Sequence, residues 1–325
     1  MDRLVSVIIP VYNAGDYLMD AVDSLKKGSF QDFEIILIDD GSTDNSPDIA
    51  DRLSREDNRI RVFHTANKGA AAARNEGVKL SVGDYILFMD SDDTVDEDYI
   101  SYLWSLVQKY KSDIAVCGYR LVYPSKKKKQ EATDYTVKEY TGEKAMEALL
   151  YQRGMMSVPW GSIIKRELAL KVPFPEGIRA EDVATVYRLF FYASKVIYSD
   201  RPLYNYYQRK TSTIYSTVSL KNRDYFKNSR EIIEFVKANC IKYIDSAYSR
   251  HFSTCFQILS ETGMTAENRD FNKLLYADIK KLRKRILKNG NSRKVNRTAA
   301  ALSFVSVRLL HRLLRLYYKI QRNRL

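Results

Sequence analysis

Four short apolar runs rich in β-branched residues alternate with stretches of helical periodicity in the first third of the chain, and this alternation constrains the fold more than any other feature. The run Val5-Ser6-Val7-Ile8-Ile9-Pro10-Val11-Tyr12 reads as a strand, and Asp16 is the expected N-cap of a helix whose inner face carries Tyr17, Leu18, Ala21, Val22 and Leu25. A second strand, Phe33-Glu34-Ile35-Ile36-Leu37-Ile38, ends in Asp39-Asp40-Gly41-Ser42, after which Ser46-Pro47 places proline at the first position of another helix. Ile60-Arg61-Val62-Phe63 is a third strand, and the alanine-rich stretch 69–80 leads into a fourth, Tyr85-Ile86-Leu87-Phe88-Met89. A further helix is expected from near Asp96. Strand and helix alternating at this spacing predict an α/β fold with a mostly parallel sheet flanked by helices.

In such sheets ligands bind at the carboxyl ends of the strands, and the polar residues of this chain gather there. Tyr12 and Asn13 follow the first strand, Asp39 and Asp40 the second, and Asp90, Ser91, Asp92 and Asp93 the fourth. Acids crowded at the exit of a buried strand repel one another unless a cation sits between them. Asp90 and Asp92 flank Ser91, a spacing that lets carboxylates reach a hard divalent ion whose other ligands are phosphate oxygens and water. The same acidic stretches also suit ordinary turns, around Gly41 and before the next helix. Neither Gly-x-Gly-x-x-Gly nor a Walker loop occurs, which argues against a dinucleotide dehydrogenase and a P-loop enzyme.

With 45% hydrophobic and 29% charged residues over 325 positions, the composition is that of a soluble globular protein. No uncharged apolar run reaches the roughly 18 residues of a membrane span, and Met1-Asp2-Arg3 leads directly into the first strand, so a cytoplasmic location is expected. Cys117, Cys240 and Cys255, like His64, His251 and His311, are too scattered to suggest a disulfide framework or a zinc site. The net charge of +13 is unevenly placed: residues 273–325 carry 16 Lys and Arg against Asp278 alone, and the remainder sums to −2.

Taken in order, Val-Ile-Ile-Pro-Val-Tyr-Asn (7–13), Ile-Asp-Asp-Gly-Ser-Thr-Asp (38–44), Asn67-Lys68-Gly69 through Ala73-Arg74-Asn75, and Met-Asp-Ser-Asp-Asp (89–93) resemble the family 2 glycosyltransferases with a GT-A fold. The resemblance is strong from residue 4 to about 120 and looser to about 215. It implies a GT-A nucleotide-diphospho-sugar transferase domain over 1–215. Pro10, Tyr12 and Asn13 would line the base and ribose, with Asn67, Gly69 and Ser91 also in the nucleotide-sugar site. Asp40, with Asp39 beside it, would accept the uracil N–H, for which a pure acceptor is suited. Arg74 would reach the diphosphate, and Asp92, supported by Asp90, would bind Mn²⁺ or Mg²⁺. Glu181-Asp182, at the start of a helix with Val186, Leu189 and Phe190 on its apolar face, resembles the family's Glu-Asp motif. Asp182 is then the base that takes the acceptor hydroxyl proton in an inverting transfer, supported by Glu181, while metal and basic residues stabilise the leaving group. Alone, such a pair would more often compensate a helix dipole. The stretch 206–212 resembles a segment in which Arg209 and Ser212 close over the diphosphate. The stretch 160–166 resembles the acceptor-side strand, although Gly161-Ser162-Ile163 replaces the more usual Asn-Lys-Leu. Trp160 would stack on a sugar there or serve as ordinary core.

Lys126 to Lys129 mark an exposed loop or hairpin tip. A helical extension is expected over 216–290, then a linker and a basic amphipathic helix over 291–325. From Leu302 to Ile320 the apolar residues Leu302, Val305, Leu309, Leu313, Leu316, Tyr317 and Ile320 recur at helical spacing, with Arg308, Arg312, Arg315, Lys319 and Arg322 on the other side. That pattern fits a helix lying on an anionic membrane, or one packed on the rest of the protein. No nucleic-acid partner is expected, since no aromatic platform accompanies the charge. The sequence thus predicts an inverting, metal-dependent transferase moving sugar from a nucleotide-diphosphate donor, a UDP-sugar by preference, to a cell-surface glycan or lipid-linked acceptor, peripherally bound to the inner face of the membrane. The alternatives are a nucleotide-sugar-binding or membrane-adaptor protein without turnover, and a nucleotidyltransferase, whose glycine-rich basic loop is replaced here by Asn13-Ala14-Gly15-Asp16.

Overall fold

The computed structural model describes residues 5–123, 134–208 and 218–322, with side chains from 222 to 316 in the last stretch. The chain divides into two compact units, Met1–Met146 with Gly154–Ser212, and Glu147–Arg153 with Thr213–Leu325. Elements run in the order β1 (Val5–Val11), α1 (Leu18–Lys26), β2 (Phe33–Asp39), α2 (Ser46–Glu56), β3 (Ile60–His64), α3 (Ala70–Leu80), β4 (Tyr85–Phe88), β5 (Thr94–Val95) and α4 (Tyr99–Tyr110). They continue with β6 (Ile114–Val122), β7 (Val137–Thr141), α5 (Gly142–Leu150), β8 (Ser162–Lys165), α6 (Arg166–Lys171), α7 (Glu181–Tyr192) and β9 (Lys195–Tyr207).

The four strands expected from the sequence lie side by side in parallel, in the order β3-β2-β1-β4, and the sheet continues with β8, β6, β9 and β5, with β7 pairing on β9. Every residue of β2 is buried, as is β1 apart from Pro10. Continuous apolar runs, rather than alternating ones, are what strands covered on both faces require. The parallel register sets Val11 beside Asp39, and Ile8 beside Phe88. The acids that follow β2 and β4 therefore emerge at one edge of the sheet. Beyond β4 the pairing is mixed, because β8 is antiparallel to both β4 and β6.

Three local expectations are corrected. The N-cap of α1 is Tyr17 rather than Asp16, and no side chain caps it. The N-cap of α2 is Asn45, so Pro47 is its second residue; Ser46 Oγ instead accepts the Ala14 N–H, which ties the end of β1 to the start of α2. The helix expected from Asp96 begins at Tyr99, because the Asp96 carboxylate is taken by Arg120 and Asn205.

In the second unit α8 (Val218–Asn239), a single 3-10 turn (Ile241–Tyr243), α9 (Ile244–Glu261), α10 (Arg269–Lys288), α11 (Lys294–Val305) and α12 (Val307–Arg322) follow one another. Phe226, Phe252, Leu275, Ile279, Ala300 and Leu310 belong to one hydrophobic core, so 216–290 and 291–325 pack together. The single tail helix expected over 302–320 is interrupted at Ser306, which is extended. Ser306 Oγ accepts the Leu309 N–H and so starts α12 afresh. Among the described residues no helix is long and apolar enough to cross a membrane.

Candidate active site

The loop after β2 is built by its two aspartates. Asp39 Oδ1 accepts the Ser42 N–H at 3.0 Å, and its Oδ2 lies 2.8 Å from Nδ1 of His64 at the end of β3. Asp40 accepts the N–H groups of Lys68 and Gly69, each at 2.8 Å, one on each oxygen. Both carboxylates are buried. The pair read as a base-recognition acceptor therefore shapes the loops around it, and Asp40 holds the turn from which α3 starts at Gly69. Gly69 has φ +91 and Gly41 φ +67, conformations that a side chain resists. A Cβ on Gly41 would also lie 2.9 Å from the Asn67 nitrogen. Asn13, itself at φ 50, accepts the Thr43 N–H at 2.8 Å and donates its own N–H to Ser42 Oγ at 3.1 Å. Pro10 is half-buried, and Tyr12 is exposed beside this loop.

The turn after β4 holds the second group of acids. Asp90, Ser91 and Asp92 are half-buried and Asp93 is buried. The Asp93 carboxylate accepts the Tyr204 hydroxyl at 2.9 Å and the Tyr207 N–H at 2.9 Å, while the Tyr204 hydroxyl accepts the Asp90 N–H at 3.1 Å. Burial, together with the neighbouring Asp90 and Asp92, pushes the Asp93 carboxyl up to about 8. The same buried setting and the charges of Asp93 and Asp90 push the Tyr206 phenol up to about 12. Two half-exposed carboxylates, offering only oxygen donors, fit a hard divalent cation completed by phosphate and water. Asp90 and Asp92 would be its protein ligands.

Arg74, on α3, connects this turn to α7. It donates to Asp90 Oδ1 at 3.1 Å and to Glu181 Oε1 at 2.7 Å, and its guanidinium lies 5.6 Å from the Phe174 ring centroid. Its side chain is only 8% exposed. Burial works against the charge, but Asp90, Glu181 and Asp182 outweigh it and raise the Arg74 pKa further. The neighbouring Asn75 fixes the same wall, accepting the Phe174 N–H and donating to the Phe174 carbonyl, both at 2.8 Å. Arg74 thus bridges two carboxylates, beside the place where a diphosphate is expected. Glu181 and Asp182 open α7, where Asp182 Oδ1 accepts the Val183 N–H at 2.8 Å. The preceding residue, Ala180, sits in the left-handed region at φ 59 and ψ 41, a strained conformation for alanine that turns the chain into the helix at this point.

The profile of glycosyl transferase family 2 matches residues 6–172, just over half of the chain. The chain belongs to this family. It is 37% identical over 220 residues to the glycosyltransferase GlyG of Streptococcus pneumoniae, covering 65% of this chain and 73% of that protein. It is 33% identical over 219 residues to the glycosyltransferase GlyA of the same organism, covering 65% of this chain and 32% of that protein. Staphylococcus aureus TarS 1–349, solved in complex with UDP-GlcNAc, superposes with a TM-score of 0.67 at 21% identity, over 98% of this chain and 92% of that one. The fold is GT-A, and the protein is a glycosyltransferase.

On the acceptor side, the structure supports the core reading of Trp160. Trp160 is 6% exposed and stacks on Tyr204 at 4.5 Å and 10°, with Tyr119 edge-on to it. Its faces are occupied, so it supports the tyrosine that binds Asp93 and Asp90 rather than a sugar. Tyr204 and Asp93 join the site only in the folded chain; the one sequence signal for either is the place of Asp93 in the acidic run after β4. Arg209, Ser212 and Lys126 to Lys129 lie outside the described residues. A cavity of about 670 Å³ beside α1 and β5, lined by Asp20, Asp23, Asp96, Glu97 and Asp98, contains neither Asp92 nor Asp182. In the second unit, donor atoms of His251, Cys255 and Asp278 lie within 4.8 Å of one another despite their separation in sequence. That cluster is closed by protein: the Arg230 fork grips Asp278, and His251 is bonded on one side to Ser229 and on the other to Asp278.

Proposed function

We propose that the enzyme transfers a sugar from a UDP-sugar to a hydroxyl of a growing surface glycan or its lipid-linked carrier, with inversion, on the inner face of the membrane. The observation that carries this reading is Arg74: one guanidinium touches both Asp90, at the expected metal site, and Glu181, beside the expected base. The two chemical roles therefore lie within the span of one side chain. Asp182, the neighbour of Glu181, takes the proton of the acceptor hydroxyl as its oxygen attacks the anomeric carbon from the face opposite the leaving diphosphate. Glu181, held by Arg74, keeps the start of α7 in place. Asp90 and Asp92 would hold a divalent ion, which when bound would supply positive charge to the leaving diphosphate. The Asp40-bound turn and α3 support the nucleotide side. The UDP-GlcNAc complex of TarS favours uridine, and the charge of the C-terminal helices favours an acceptor at an anionic membrane.

The test is calorimetric titration of UDP, GDP, CDP and dTDP with and without Mn²⁺ on wild type, Asp92→Ala and Asp182→Asn. Metal-dependent binding of UDP, lost in Asp92→Ala and kept in Asp182→Asn, with transfer abolished in the latter, is the expected outcome. Wild-type turnover in Asp182→Asn would remove the base from its role, and absence of binding to every diphosphate would overturn the donor class.

A further inference from the structure

Helix α12 carries two apolar faces, and among the described residues only one packs into the core of the second unit. Val307, Leu310 and His311 are buried against the rest of the second unit. His311 pins the helix with both ring nitrogens, Nε2 to the Thr262 carbonyl at 3.0 Å and Nδ1 to the Tyr276 hydroxyl at 2.8 Å. The helix cannot roll to hide its other side without breaking both bonds. On that side Leu309, Leu313 and Leu316 are exposed, at spacings of four and three residues that set them in one row. On α11, Leu302 and Val305, three residues apart and so on one face, are also exposed, Val305 at 79%, and Phe304 is exposed on another side of that helix. Isolated exposed leucines need no explanation, but exposed apolar faces on two successive helices do.

The charges beside this row choose its partner. Arg308 and Arg312 are exposed on α12, and Arg297 on α11; no acid occurs between residues 289 and 316. Arg283, from α10, lies 4.2 Å from the Phe304 ring centroid and adds a further cation at the rim. An apolar row edged by arginines on a rigidly held helix pair suits a surface that is apolar within and anionic at its boundary. A second copy of the same face would bring like charges together.

We propose that this face of α11 and α12 docks on an anionic lipid bilayer, with the leucines seated at the boundary between headgroups and acyl chains and the arginines among the lipid phosphates. The sequence alone puts the whole stripe on one helix and leaves both membrane and core open to it. In the folded chain the two roles are separated, since the buried face of α12 serves the core and the leucine row is left for the lipid. The proposal deepens the membrane-side reading of the proposed function by naming the surface. Its test contains no sugar, so its failure leaves glycosyl transfer standing.

The experiment is sedimentation of the full chain with vesicles of phosphatidylcholine alone and of phosphatidylcholine with phosphatidylglycerol, for wild type, Leu309→Ser/Leu313→Ser/Leu316→Ser and Arg308→Gln/Arg312→Gln. All the changed side chains are exposed, and circular dichroism melting confirms that each variant is folded. Wild type is expected to bind only the anionic vesicles and to be released by salt, and each variant to partition about tenfold more weakly or less. Equal binding to neutral vesicles, or wild-type partitioning in the leucine variant, would overturn the proposal. So would a wild-type dimer in analytical ultracentrifugation that becomes monomeric in the leucine variant.

Discussion

Replacing Arg74 by methionine tests whether one guanidinium holds the two acidic groups in place. The wild-type side chain is 8% exposed and bonds Glu181, 19% exposed, and Asp90, 33% exposed. Methionine fills much of the space and keeps the contact with Phe174, but leaves two carboxylates facing each other without their cation. Removing one partner of a buried pair costs roughly 3–5 kcal/mol, and the partial exposure of the carboxylates puts this case at the lower end, about 3 kcal/mol. Arg74→Lys keeps the charge but not the fork that reaches both acids at once, so about half of that loss is expected. Trp104 and Trp160 both belong to the first unit, so tryptophan fluorescence in urea follows that unit alone. With an m value of about 2 kcal/mol/M, the methionine variant should unfold at a midpoint lower by about 1.5 M. The decisive control is the same substitution in an Asp90→Asn/Glu181→Gln background, where the loss should largely vanish. An unchanged midpoint in Arg74→Met, or an undiminished loss in the background variant, would refute the bridge and return Arg74 to a role toward ligand only.

Two further predictions concern neighbouring groups. Tyr204→Phe removes a buried hydroxyl that donates to Asp93 and accepts the Asp90 N–H, and should lower the urea midpoint by about 1 M, from a loss of about 2 kcal/mol; a wild-type midpoint would show that the hydroxyl does not brace the turn. The His64 imidazole is held above its usual pKa chiefly by its bond to Asp39, with Asp51 adding to the effect. A raised folded-state pKa gives stability that is complete below the unfolded value, about 6.5, and is lost as pH rises through the folded value. The difference in urea midpoint between wild type and His64→Asn should therefore be greatest in mildly acidic solution and shrink as pH climbs above that point, and a difference that grows with pH would contradict the pairing.

Much of the first unit is legible in the sequence because its signals are local. Largely apolar runs mark β1, β2 and β4, since a strand buried on both faces is apolar along most of its length; the buried Glu34 of β2 is satisfied by Ser6, Arg61 and the Val82 N–H. Three helix starts differ from the sequence expectation by one to three residues because capping depends on neighbours outside the helix. The Ser46 hydroxyl goes to Ala14, and the Asp96 carboxylate goes to Arg120 and Asn205. The positions of the acids can be read, but not the partners each takes. The sequence shows Asp39 and Asp40 as acceptors at the end of β2, but not that each of their four oxygens also holds a neighbouring loop group in the fold.

The sequence by itself determined the alternation of strand and helix, the edge of the sheet where acids collect, and the concentration of basic charge in the last helices. These follow from side-chain periodicity and composition, which a local stretch of chain carries with it. Only the tertiary structure decided that Arg74 meets Glu181, 107 positions away, that Trp160 lies beneath Tyr204, and that α12 buries Leu310 while exposing Leu309. Such pairings depend on how distant elements are docked, and a helix's period says which residues share a face without saying which face meets the core.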